Sequence, residues 1–282
     1  MTDRVYYHHP DNPQYSLAYV TTDRETISPN TDEYLIEQYE LDEAVFVLYT
    51  NDGTSGKVDD LDSDFEDALD TMSDEDRQIT ISLLQIFEAI VEEKQIEHEE
   101  ELKIYKRIEL RKIPDAIAEV DWDGTAVDVA GQLMSTLILK HALPNANHRT
   151  AISLAQWYLE STETGFSFLE LTTEEYEWKV WVNEYITESK RMLTVRRNTT
   201  AFSLLAEWGC TVVERKNDIE IVLSEYTLDM TQSDAYTYYG TKHTQLCTDF
   251  VIDSVTRAGY DELIEMQGLS KSAFVKKLNT AM

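Results

Sequence analysis

Residues 126–143 read AVDVAGQLMSTLILKHAL. At the 3.6-residue period of a helix, these apolar side chains face nearly every direction, so the segment is stable only where neighbours cover it on all sides. A chain that contains it must build a helical core around it. The segment HRTAISLAQWYLEST (residues 148–162) is helical again, with Ile152, Ala155 (or Gln156) and Leu159 on one face. Two core helices therefore meet at a short loop.

The rest of the chain extends this pattern. Ser73 and Asp76 make a capping-box-like start to a long amphipathic helix carrying Ile79, Leu83, Ile86, Phe87 and Ile90. HEEELKIYKRIELRKI (residues 98–113) reads as a second exposed helix or as a continuation that turns before Pro114. A break follows at Asp121–Thr125. TTEEYEWKVWVNEYITES (residues 172–189) has helical spacing of Tyr176, Val180, Val182 and Ile186, and QLCTDFVIDSVTRA and LSKSAFVKKLNTAM are helix-like. TVVERKNDIEIVL (residues 211–223) alternates around Lys216-Asn217-Asp218 as a hairpin does. Ahead of the helices lie the turn-rich pieces YYHHPDNP and ISPNTDE, a β-like run from Ala44 to Thr50 closed by Asn51-Asp52-Gly53, and the acidic link VDDLDSDFEDALD. The expected class is mainly α: an N-terminal, β-containing extension (1–72), a helical core (73–189) and a C-terminal helical region carrying the hairpin (190–282).

The chain has 54 acidic residues against 24 basic ones, a net charge of -30. This balance argues against DNA, RNA or an anionic membrane as partner. The acid excess runs evenly along the chain, as in the solvated surfaces of halophilic, salt-accumulating cells, and MTDRVYYHHPDNP has no apolar signal region, so a cytoplasmic protein is expected. Cys210 and Cys247 are expected to be buried thiols. His8, His9 and His243 read as surface histidines rather than a metal set. The cations Lys103, Lys106, Arg107, Arg111 and Lys112 either pair with Glu99, Glu100 and Glu101 or face a nucleotide or an acidic partner. Lys190, Arg191, Arg196 and Arg197 carry the same ambiguity, as cations ending a helix. Trp157 and Tyr158 read as core.

Between the two core helices stands HALPNANHRTA, His141 to Ala151. A helix starting after Asn147 presents unpaired N–H groups and the positive end of its dipole, a place suited to phosphate. Small Ala146 lets a ligand approach the backbone, and Arg149 can fork onto phosphate oxygens. Asn147 can cap the helix and still reach a ligand. His141 carries the side chain suited to proton transfer near neutrality. The plain alternative is an Asn cap beside a histidine at a helix C-terminus.

The stretch resembles the active-site loop of the Fic/Doc family, HPFxxGNGR in Fic proteins and HxFxDANKRTA in Doc-like ones, and is nearer the Doc form. The resemblance implies a helical domain that moves AMP or phosphate from ATP or another nucleotide to a hydroxyl of a target protein, as a toxin-like regulator that can have an antitoxin partner. By this likeness His141 would be the base. Asn147, Ala146, His148 and the helix N-terminus would hold phosphates, and Arg149 would neutralise them. Leu143 replaces the usual Phe, and His148 stands where Gly or Lys is usual. Asn145 stands where an acid holds Mg²⁺, and a neutral amide is a weaker ligand for that ion. The alternative is therefore a catalytically degenerate Fic/Doc-like protein that binds nucleotide or a partner without transfer. The family's inhibitory pattern, (S/T)xxxE(G/N), does not occur in the chain.

Overall fold

The computed structural model describes residues 3–27, 34–51, 61–98, 106–163, 165–168 and 176–281. Ser28–Glu33 of the ISPNTDE turn, Asp52, Gly53, Glu99–Glu101 and Lys103 lie outside the described residues. The chain is mainly α-helical with small sheets. It divides into two compact units, one from Met1–Thr54 and Thr187–Gly240, the other from Ser55–Ile186 and Thr241–Met282.

The first unit holds the strands. β1 (Arg4–Tyr6), β2 (Ser16–Thr21), β3 (Tyr34–Glu40) and β4 (Ala44–Thr50) come from the N-terminal stretch, and β5 (Val212–Arg215) and β6 (Ile219–Val222) from the later one. One antiparallel sheet has the order β2-β4-β3. In β4, Val45, Val47 and Tyr49 are buried while the residues between them are half-buried, the period of two that a pleated strand imposes. The Tyr49 hydroxyl donates to the Tyr6 carbonyl at 2.7 Å, so the buried ring is satisfied. The other sheet, β1-β5-β6, pairs β1 parallel to β5 and β5 antiparallel to β6. The expected hairpin is present, and its three-residue turn, Lys216-Asn217-Asp218, holds Asn217 (φ 62) and Asp218 (φ 55) in the left-handed conformation that Asn and Asp tolerate.

In the second unit, α1 (Leu61–Asp70) takes up the end of the acidic link and α2 (Asp74–His98) follows. The Ser73 hydroxyl oxygen accepts from the Asp76 N–H at 3.1 Å, as the capping pattern implies. Next, α3 (Lys112–Ala118) starts within the charged segment, and the described residues before it, 106–111, are not helical. Pro114 therefore sits in a first helical turn, where its missing N–H costs nothing, and does not end a helix as the sequence suggested. Core helix α4 (Ala126–Lys140) begins with a Thr125/Asp128 capping box and is buried nearly all round, through Val127, Val129, Leu133, Met134, Leu137 and Ile138. It packs on α3 and on α5 (Asn147–Thr162), and α5 also meets α2.

The later α-helices among the described residues are α6 (Tyr176–Glu207), α7 (Gln232–Ala258) and α8 (Lys271–Ala281). In α6 the helix continues past Ser189, so Lys190 and Arg191 lie inside it, whereas Arg196 and Arg197 stand in the last turn before the helical backbone breaks, as cations ending a helix do. Asn198 (φ -125, ψ 20) marks a kink, and Gly209 (φ 88) closes the C-terminal turn, with the Cys210 N–H reaching the Leu205 carbonyl at 2.9 Å. Where α7 crosses α4, Gly131 meets Thr248: a Cβ at Gly131 would fall 2.3 Å from Oγ1 and 2.6 Å from Cα of Thr248. Along the same seam His243 Nδ1 and the Ser135 hydroxyl are 2.8 Å apart. His243 is fully buried and His9 is 7% exposed, so neither is the surface histidine expected; a polar partner let each go inside. Cys210 and Cys247 are buried, and burial pushes their thiols up to about 11 and about 12, which leaves them protonated near neutrality.

Candidate functional site

His141 follows the last residue of α4 and takes the left-handed conformation, φ 50 and ψ 48, with its N–H on the Leu137 carbonyl at 3.1 Å. The Lys106 ammonium donates to the His141 carbonyl and to the Glu109 carboxylate. A cation is thus placed at the negative end of α4. The Glu109 N–H bonds the Ala142 carbonyl at 2.9 Å, and Lys112 reaches the Glu109 carboxylate at 2.6 Å. Partial burial works against ionised Glu109, but hydrogen bonds and charge from Lys106 and Lys112 outweigh it and hold the carboxyl below its usual range. The segment before α3 is thereby seated on the loop at His141. Sequence reasoning missed Lys106 and Glu109 as neighbours of His141; the cation run in an acidic chain was the available signal.

Inside the loop, Ala142, Leu143 and Pro144 are buried. Asn147, 8% exposed, clamps the turn: its Oδ1 accepts the Leu143 N–H at 3.1 Å, and its Nδ2 donates to the Leu143 carbonyl at 3.0 Å. The N-cap of α5 is Ala146, so the expected capping by Asn147 is overturned. The carboxamide turns back because two buried backbone groups of Leu143 need partners. We expect Asn147→Ala to cost about 2 kcal/mol, since both groups lose their partners in a buried place. Thermal unfolding of the variant checks this, and an unchanged midpoint would show the clamp to be dispensable. Behind the loop a small pocket, lined by Leu83, Leu137, Leu143, Asn147, Thr150 and Ala151 among others, has room for about one water. On the side away from this pocket lies the loop's outer face.

That outer face begins at Ala146, also left-handed (φ 54, ψ 17), and no side chain caps α5 there. The first helical bond runs from the Thr150 N–H to the Ala146 carbonyl, 3.0 Å, so the amides of Asn147, His148 and Arg149 precede the helical ladder. A left-handed residue followed by right-handed ones turns successive N–H groups toward one concavity, an arrangement that holds anions. Arg149 is exposed and has no ion pair or hydrogen bond with described residues, while His141 and His148 are half-buried. Among the described residues, positive φ outside glycine occurs at His141, Ala146, Asn217 and Asp218. Two of these four bracket the loop, and such backbone strain concentrates at functional sites.

The loop does not fit Mg²⁺. His141–Ala151 contains no carboxylate, and Asn145 Oδ1 is taken by the Ala146 N–H at 2.7 Å. Among the described residues a His/acid group of metal-ligand size lies in the first unit: His9, Asp11 and Glu37. There His9 Nδ1 accepts the Asp11 N–H at 3.2 Å and Nε2 lies 3.0 Å from Glu37. Nε2 therefore carries the ring hydrogen, and neither nitrogen offers a metal its lone pair.

One family model matches residues 1–282. The chain belongs to DUF8172, a family of unknown function. No curated protein and no solved structure matches it. The DUF8172 match spans both units, whereas the Fic/Doc likeness rests on the residues of one loop and its flanking helices.

Proposed function

We propose that the chain is a Fic/Doc-like transferase that moves AMP or phosphate from a nucleotide to a hydroxyl of a target protein. The observation that carries this reading is the start of α5: an uncapped helix N-terminus with exposed Arg149 in its first turn and His141 across the same short loop. Phosphate oxygens would take the α5 amides and the Arg149 fork. The His141 ring would accept the proton of the target hydroxyl as its oxygen bonds to phosphorus. In AMP transfer the bond to pyrophosphate breaks; in phosphate transfer the bond to the nucleoside diphosphate breaks. Such catalysis rests on positioning and on neutralising charge. The acidic surface fits a cytoplasmic enzyme of a salt-rich cell that acts on proteins, in toxin-like fashion and with room for an antitoxin partner, and not on nucleic acid. No helix among the described residues is long and apolar enough to cross a membrane.

A second reading, binding without transfer, is favoured by Asn145, whose carboxamide is turned into the loop where the family pattern has an acid. Incubation with ATP labelled at the α- or γ-phosphate, with cell lysate at molar KCl, separates the readings. α-Label on a protein means AMP transfer, and γ-label means phosphate transfer. Nucleotide binding with neither supports the second reading, and no nucleotide binding rejects transfer and leaves of the second reading only the binding of a partner. Asn145→Asp tests the metal argument: the added charge beside phosphates is unfavourable until Mg²⁺ bridges the two. Calorimetric titration should show weak Mg²⁺ dependence in the native protein and steep dependence in the variant. Equal dependence would show Asn145 to be an adequate ligand.

A further inference from the structure

Arg215 ends β5 with a guanidinium that the chain does not satisfy. Its Nε is buried and has no hydrogen-bond partner, its Nη1 donates to the Lys190 carbonyl at 3.0 Å, and Cζ lies 5.6 Å from the centre of the Tyr7 ring. No described carboxylate pairs with it, although acids are near in sequence. Glu214 and Glu220 are both held by Arg4, because successive strand residues point to opposite faces and Glu214 looks away from Arg215. Glu188 is engaged by Arg191 at 3.3 Å. The described side chains whose charge or ring acts on Arg215, Tyr7, Arg197 and His8, are neutral or cationic. Burial lowers its pKa against the influence of Tyr7, and the Arg197 charge lowers it further, yet a guanidinium stays charged at any relevant pH. Arg197 is exposed and has no carboxylate partner among the described residues. His8 packs edge-on against Tyr7, with ring centres 4.9 Å apart, and is held neutral, at about 3, by burial and by the charges of Lys216 and Arg215.

In a chain of net charge -30, Arg215 and Arg197 stand close together with no carboxylate partner among the described residues. A partly buried cation left unpaired destabilises the fold until an anion arrives. We propose that Arg215, Lys216, Arg197 and His8 form a binding site for a compact phosphate group, either the free ion or a small monoester. The planar guanidinium offers paired donors to two phosphate oxygens, a geometry that a halide cannot use. A nucleic acid is disfavoured, since the remaining surface would repel a long polyanion.

Inorganic phosphate and glycerol phosphate are the probes, titrated into the Arg149→Gln protein so that the start of α5 does not contribute. Both binding means that the site takes an ester, and inorganic phosphate alone means the free ion. Phosphate should raise the unfolding midpoint and shift the His8 ring resonance. Arg215→Met in that background should raise the midpoint without phosphate and abolish the phosphate response, because a buried uncompensated charge is gone. Arg197→Gln and Lys216→Gln, both at exposed positions, should each weaken phosphate binding about tenfold, as loss of a charged hydrogen bond does. They carry the test if Arg215→Met does not fold. No phosphate response in the Arg149→Gln parent, or an undiminished response in the three variants, overturns the proposal.

Discussion

Replacing His141 by alanine or asparagine should lower target labelling by about two to four orders of magnitude, the contribution of a positioned base. Nucleotide affinity and the unfolding midpoint should change little. The main chain at this residue is held through the Leu137 and Lys106 hydrogen bonds, which the substitution leaves in place. Asparagine is the cleaner variant, because it tolerates the left-handed backbone of position 141 better than alanine does. Labelling is read from radioactive ATP on a target band, and binding from calorimetry. Labelling equal to that of the native protein would remove His141 from the chemistry.

Gly131→Val should destabilise the protein on the order of 4 kcal/mol, which for a unit of this size lowers the midpoint by roughly 8–16 °C. The first added carbon would already stand 2.6 Å from Thr248 Cα and 2.9 Å from its N, so the backbone of α7 or α4 must move. At an exposed helical glycine any side chain with better propensity would stabilise, so the sign of the effect tests the close crossing. A midpoint at or above the native value would mean that the two helices do not meet there.

Much of the helical core was legible because burial leaves a periodic trace. The run at 126–143 gave α4, which stops at Lys140 because His141 turns left-handed. Ser73 and Asp76 marked the start of α2, and Lys216-Asn217-Asp218 marked the hairpin. What escaped was decided by distant partners. Whether a histidine is buried depends on what meets it, and Ser135, far from His243 in sequence, lets that ring into the core. The cations near Arg196 did precede a break, at Asn198, but they could not show that the apolar face resumes beyond it through Phe202 and Leu205. The left-handed backbone at Ala146 and the inward turn of Asn147 had no local signature, because alanine seldom takes that conformation and asparagine suits many. The composition of HALPNANHRTA was readable as chemistry; which of its atoms remain free for a ligand was not.

The parallel pairing of Arg4 with Val212 also fixes a timetable. At about 5–20 residues per second, translation takes on the order of 10–40 s to bring the partner of β1 out of the ribosome. Closing so long a loop costs about 5 kcal/mol in chain entropy, which the hairpin must already be formed to offset. Until then Val5, fully buried in the finished fold, waits exposed, and a chain that stalls before Arg215 leaves β1 without its strand. β1 is made long before the strand it pairs with and is placed only after that strand.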